Sequence, residues 1–264
     1  MRVHHDRIRP LELWDALTPA GTLWESMEHV DFASHLGDVL NQLLKGTAHS
    51  RADGPIPQVA FDHIWLSGGR LLDLDTVESL TTLPRKTFIA TDARFPGIAA
   101  ATKILPDCAN SILCIDVGQT SIKISQAEHR LVVARDYEEF PIRQHGNDTP
   151  SPQNQQRFLQ WLIKSIQTIP ASLDDNTHLL LSLPCEITND CTLGGSSYIG
   201  VIGCKDTIPV LKEALQVNSV YLLNDAELAA WSAQADPRLP VRGNTLVLTL
   251  GFGVGAAVIL DENA

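Results

Sequence analysis

No apolar run in this chain approaches the ~18 residues needed to cross a bilayer, and its opening, MRVHHDRIRPLELW, lacks the apolar core of a secretory signal peptide. Basic residues are scarce: 20 Lys and Arg stand against 31 Asp and Glu, a formal net charge of −11. So negative a surface repels phosphate backbones, which argues against a general nucleic-acid binder. A small phosphorylated ligand remains compatible, because backbone N–H groups and a metal ion can hold it locally. There are only five cysteines (Cys108, Cys114, Cys185, Cys191 and Cys204), an odd number without a CxxC pair, so no structural zinc is expected. The expectation is a reduced, soluble, cytoplasmic protein with no membrane partner. What is present is ordinary globular material: 264 residues, 44% hydrophobic and 19% charged, enough for about two domains.

Periodicity organises the chain. Residues 31–45 place Phe32, Leu36, Val39, Leu40, Leu43 and Leu44 on one helical face, and a Pro- and Gly-containing loop follows at 46–58. A strand at Asp62–Leu66, the turn Ser67-Gly68-Gly69, a helix over 73–82 and a strand at Thr87–Ala90 come next, then a small-residue helix at 95–105. From 111 the pattern becomes a meander, SILCID, TSIKISQ and RLVVARDY. Beyond a turn-rich connector, Phe158, Leu159, Leu162, Ile163 and Ile166 mark a helix and LLLSLP a buried strand before the loop CEITNDCTLGGSS. A helix at 206–216, a strand at 219–223, a helix at 225–235 and strands at 245–250 and 255–260 complete the order.

Three stretches could carry chemistry. In CIDVGQTSIK an apolar strand delivers Asp116 to its tip, and a turn through Gly118, Gln119 and Thr120 exposes N–H groups and a hydroxyl. Such a hairpin can hold phosphate oxygens while the carboxylate binds Mg²⁺ directly or through water, or it can be an ordinary hairpin with Asp at its turn. Lys123, between Ile122 and Ile124, is expected to face solvent. TLVLTLGFGVGAAVI repeats the design with Gly251, Gly253 and Gly255, and no helix start follows, so it is not a dinucleotide fingerprint. In YLLNDA a strand ends at Asn224 and Asp225 and runs straight into a helix. These residues either meet a ligand beyond the strand ends or simply cap the helix.

The ordered set resembles the superfamily of sugar kinases, heat-shock chaperones and actin, and within it the ROK sugar kinases and repressors. DVGQTSIK looks like the first phosphate loop, LLLSLPCEITND like the middle strand-then-Pro segment, and VYLLNDAELAAW like the strand–Asn-Asp-Ala–helix that bears the catalytic base. LTLGFGVGAAVI is similar to the second phosphate loop, and the resemblance covers about residues 111–260. It implies an α/β protein of two actin-like (ribonuclease H-like) domains with an interdomain nucleotide cleft. ATP and Mg²⁺ would be its cofactors. Asp225 would act as catalytic base, Asn224 would bind substrate and Asp116 would hold Mg²⁺. Gly118, Gln119, Thr120, Gly251, Gly253 and Gly255 would cradle the phosphates.

That superfamily closes with a strand and Gly-Gly motif contacting adenosine, then a small-residue helix. Here those features precede the rest, in HIWLSGG with Gly68 and Gly69 and in FPGIAAATKI. The resemblance therefore implies a circularly permuted order: 1–94 and 238–264 would form the second domain and 95–237 the first. An unrelated domain over residues 1–105 is the competing account. The chain departs from the family at Phe252, where Thr is usual, and at Gln119, and it lacks the Glu-x-Gly-His sugar element and the Cys-rich zinc motif. His4 and His5 do not replace them. The implied function is ATP-dependent phosphorylation of a hydroxyl on a small sugar-like substrate. A non-catalytic nucleotide- or sugar-binding regulator is the alternative, and an iron–sulfur ATPase activator fits less well. A homo-oligomer is compatible with the sequence, which does not specify one.

Overall fold

The structure, a computed structural model, describes residues 1–3, 6–11, 36–38, 40–41, 45, 49–50, 54–55, 61–72, 86–118, 121–126, 129–134, 152–168, 173–194, 205–250 and 254–261. In chain order the strands are β1 (Ile8–Leu11), β2 (His49–Ser50), β3 (Gly54–Pro55), β4 (His63–Ser67), β5 (Thr87–Ile89), β6 (Ile112–Val117) and β7 (Ser121–Gln126). They continue with β8 (His129–Ala134), β9 (His178–Leu183), β10 (Glu186–Ile187), β11 (Leu193–Gly194), β12 (Ser219–Asn224), β13 (Thr245–Leu250) and β14 (Val254–Ile259). The α-helices described from end to end are α1 (Pro96–Ile104), α2 (Pro152–Gln167), α3 (Thr207–Leu215) and α4 (Asp225–Ala235). The chain divides into two units, one comprising Met1–His4 and Ala101–Leu228, the other His5–Ala100 and Ala229–Ala264.

The first unit is built on a five-stranded sheet in the order β12-β9-β6-β7-β8. β6, apolar except for Asp116, is buried at every position, as a central strand covered on both faces should be. β7 alternates instead, with Ile122 and Ile124 turned inward. β6, β9 and β12 pair in parallel, which requires long crossovers. Helix α2 lies on the way into β9, and α3 on the way into β12. Phe158, Leu162 and Ile166 of α2 are fully buried against Leu113, Ile115, Val117, Leu179 and Leu181, and Leu211 and Leu215 of α3 join the same core. Gln216 ends α3 in the left-handed region at φ 53°. Within the expected loop at 185–197, the structure adds the short ladder β10–β11, because Ile187 and Leu193 are apolar enough to be buried. Residues 1–3 also pair with this sheet: Val3 N–H donates to Leu222 O at 3.0 Å and Leu222 N–H to Met1 O at 2.9 Å.

The second unit carries the sheet β1-β14-β13-β4-β5. Ile64, Trp65 and Leu66 of β4 and Leu246, Val247 and Leu248 of β13 form its buried centre. Leu36 and Leu40, one turn apart in the helix expected over 31–45, are completely buried where the structure describes it. A 3₁₀ turn at Gly69–Leu72 follows β4, and the helix expected over 73–82 lies outside the described residues. The loop expected over 46–58 contains the two-residue ladder β2–β3.

In both sheets the central strand is followed by two successive antiparallel pairings on one side and two successive parallel pairings on the other. In the first unit the series β6, β7, β8, β9, β12 follows the chain. In the second the equivalent series is β13, β14, β1, β4, β5, with β1 antiparallel to β14 through Ile8 opposite Ile259. Among the described residues no helix is long and apolar enough to cross a membrane.

Candidate functional site

Asp116 lies near the end of central strand β6, and its neighbours follow from register. Lys123 of β7 is directly opposite on the antiparallel side, and Ser182 of β9 on the parallel side. Register partners project to the same face, so all three side chains meet. Lys123 Nζ donates to Asp116 Oδ2 at 2.9 Å, and Ser182 Oγ donates to Asp116 Oδ1 at 3.1 Å. Both Asp116 and Ser182 are buried. This corrects the expectation that Lys123 faces solvent. Alternation with Ile122 and Ile124 correctly puts it on the opposite face of the strand, but that face holds a carboxylate. The hairpin register alone contained the signal, since Asp116 and Lys123 flank the turn symmetrically.

Asp225 opens α4 directly after β12, the strand beside β9. It is half-buried, and loss of hydration pushes its carboxyl up to about 7, with the negative charge of Asp116 adding to the shift. The Ala226 N–H and the Lys123 charge pull the other way without overcoming burial. The field of Asp116 therefore reaches Asp225 within one unit, at the carboxyl end of one sheet. Cys114, two residues before Asp116, is buried and its thiol is held protonated by desolvation and by that same carboxylate. It is not poised as a nucleophile.

Asn224 is committed to local structure. Its Nδ2 donates to Cys185 O at 2.9 Å, and its Oδ1 accepts from Ala226 N–H at 2.9 Å, an N-cap. Glu227 reciprocates by accepting the Asn224 N–H on Oε2 at 2.8 Å, completing a capping box. Glu227 also forms an ion pair with Arg2, and sequence reading singled out neither residue.

Gly118 closes the β6–β7 hairpin, donating its N–H to Ser121 O at 2.9 Å. Gln119, Thr120, Gly251, Phe252 and Gly253 lie outside the described residues. Gly255 belongs to β14 opposite Thr249. Ser67 and Thr249 are partners in the parallel pair β4–β13, so Gly68 and Leu250 stand at neighbouring strand ends. Gly68 has φ 115°, and a Cβ there would lie 2.2 Å from Leu250 O. Its lack of a side chain is thus required by the adjoining strand. A Cβ on Gly69 would meet nothing within 4 Å.

No protein-family profile matches the chain, and no curated protein sequence is detectably similar to it. Among solved structures, the chain is similar to the inorganic polyphosphate/ATP-glucomannokinase from Arthrobacter sp. strain KM, at 22% identity and a TM-score of 0.41. The alignment covers 57% of this chain and 58% of that one, so the chain spans little more than half the length of that protein.

Proposed function

We propose that this chain is an ATP-dependent kinase that phosphorylates a hydroxyl of a small, sugar-like substrate. One observation carries the reading: two carboxylates of different character share one sheet end, Asp116 ion-paired and Asp225 pushed up to about 7. A carboxyl titrating near neutrality can accept or orient a hydroxyl proton under working conditions. Asp225 is assigned that task, and Asn224, with one amide N–H beyond its cap and loop bonds, the adjacent substrate contact. Backbone N–H groups around Gly118, Gln119 and Thr120 and around Gly251, Gly253 and Gly255 are assigned to the phosphates, and Gly68-Gly69 to adenosine. Positioning and charge stabilisation are the main needs of phosphoryl transfer, and these parts supply them.

Asp116 decides the fit to Mg²⁺. It offers a single carboxylate whose oxygens already accept from Lys123 and Ser182, and the described residues contain no cluster of three or more metal-ligating side chains. That donor set suits an ion held mainly by phosphates and water, with one carboxylate approached through water. When bound, the ion would supply neutralising charge for the phosphates.

We also infer a circular permutation, in a protein of two actin-like domains. It is supported by the equivalence of the two sheet series, of which the second runs from the last two strands back to the first three. Chain termini close together in space permit such rearrangement.

A second reading, a nucleotide- or sugar-binding regulator without turnover, is favoured by one contact. Lys123 already supplies a positive charge to Asp116 where a cation would approach. Isothermal titration with ATP, with and without Mg²⁺, followed by an acceptor screen over hexoses, separates the readings. Mg²⁺-dependent binding with sugar phosphorylation supports the kinase. Binding without turnover on any sugar selects the regulator, and absence of binding at millimolar nucleotide overturns both nucleotide-dependent readings.

A further inference from the structure

Residues 1–3 run beside β12, and Arg2 is the bridge partner of Leu222. Its side chain is folded inward: Nη2 donates to Glu227 Oε1, and Nη1 lies 3.4 Å from Leu222 O. The Arg2 and Glu227 side chains are only 8% and 9% exposed, and Arg2 Nε is buried with no partner. A capping box is complete when the N3 carboxylate accepts the N-cap N–H, with no counterion required. Here two charges have been desolvated to hold one carboxylate, an arrangement that adds little net stability but is costly to break from one side.

The fixed geometry is the first turn of α4. Glu227 Oε2 holds the Asn224 N–H, Asn224 Oδ1 holds the Ala226 N–H, and Asp225 lies between them. We propose that Arg2 is a positioning residue for Asp225, acting through Glu227 to hold the strand-to-helix junction that presents the Asp225 carboxyl. This rests on the reading of Asp225 as the proton-accepting group. Without Arg2, Glu227 becomes an uncompensated buried charge that must leave for water, and the Asn224 N–H loses its acceptor.

The test uses the full chain with Arg2→Met, Glu227→Gln and the double variant. Amide exchange is followed at Asn224 and Ala226, alongside kcat and KM. Arg2→Met is expected to speed exchange at both amides about tenfold, the cost of one buried polar group left unpaired, and to lower kcat more than it changes KM. Glutamine still accepts the Asn224 N–H and needs no counterion, so the double variant is expected to return most of the protection and of kcat. Unchanged exchange in Arg2→Met overturns the proposal, as does a double variant that exchanges as fast as Arg2→Met. Should Arg2→Met fail to fold, a folded and protected double variant supports it and an unfolded one overturns it. Full turnover in Asp225→Asn would defeat the kinase assignment of Asp225 and leave the exchange result standing, so the two failures are distinguishable.

Discussion

Lys123 and Asp116 face each other across the β6–β7 hairpin, Nζ to Oδ2 at 2.9 Å, with the Asp116 side chain 11% exposed. The pair is partly screened by solvent, so its contribution is smaller than that of a fully buried one. Lys123→Met is expected to lower stability by about 1–3 kcal/mol, because Asp116 keeps only Ser182 as partner. Adding Mg²⁺ should then raise the melting temperature of the variant more than that of the parent. Equal shifts in the two proteins would show that Asp116 is not where the cation acts.

Asp225 predicts a pH dependence. Its folded-state carboxyl binds a proton more tightly than the unfolded one, since burial raises it from the usual carboxylate range to about 7. The stability it contributes is therefore complete below about pH 4 and is lost as pH rises through 7. Asp225→Asn removes that loss, so its melting temperature should gain on the parent as pH climbs from 4 to 8. The same substitution should abolish phosphoryl transfer. In the parent, kcat/KM should rise with pH through a midpoint near 7, as a base must be ionised to act.

Gly68 and Gly69 should respond in opposite ways. Gly68→Ala forces a Cβ into the Leu250 backbone at a φ of 115°, and should destabilise the chain by at least about 2–3 kcal/mol in urea titration. Gly69→Ala, with open space around it, should leave the urea midpoint nearly unchanged. If Gly69 approaches adenosine as proposed, the added methyl weakens ATP binding in isothermal titration. Retained affinity would remove it from the site.

Asp236 contributes to the acid sensitivity of the second unit. Its carboxyl accepts from Arg238 and, at 3.3 Å, from Trp65 Nε1, and the Arg238 bonds are the main reason it is held down to about 2. A depressed carboxylate contributes stability above about pH 4 that is lost as pH falls through 2. Asp236→Asn should thus narrow its stability deficit relative to the parent on acidification. Melting temperatures across pH 2 to 6 check this, and a constant deficit would contradict it.

Much of the architecture was legible because it depends on local pattern. The meander after residue 111 follows from period-2 alternation in SIKIS, and α2 from the spacing of Phe158, Leu162 and Ile166. The junction at Asn224 and Asp225 was visible as a strand ending on cap residues. The ion pair of Lys123 with Asp116 was not, because alternation says which face a residue occupies and not what covers that face. Nor was Arg2, which meets Glu227 across 225 positions of sequence.

The sequence by itself determined the longer strands and helices of the first unit, their order, and the placing of carboxylates and glycines near strand ends, since hydrophobic period and turn chemistry act within a few residues. The tertiary structure alone decided that β1 completes a sheet begun by β13 and β14, and that Asp116 meets Lys123 and Ser182 in register. It also decided that the Asp225 carboxyl is pushed up to about 7. Strand pairing, desolvation and the field of neighbouring charges arise from groups far apart in the chain, and they take their values only once the chain has folded.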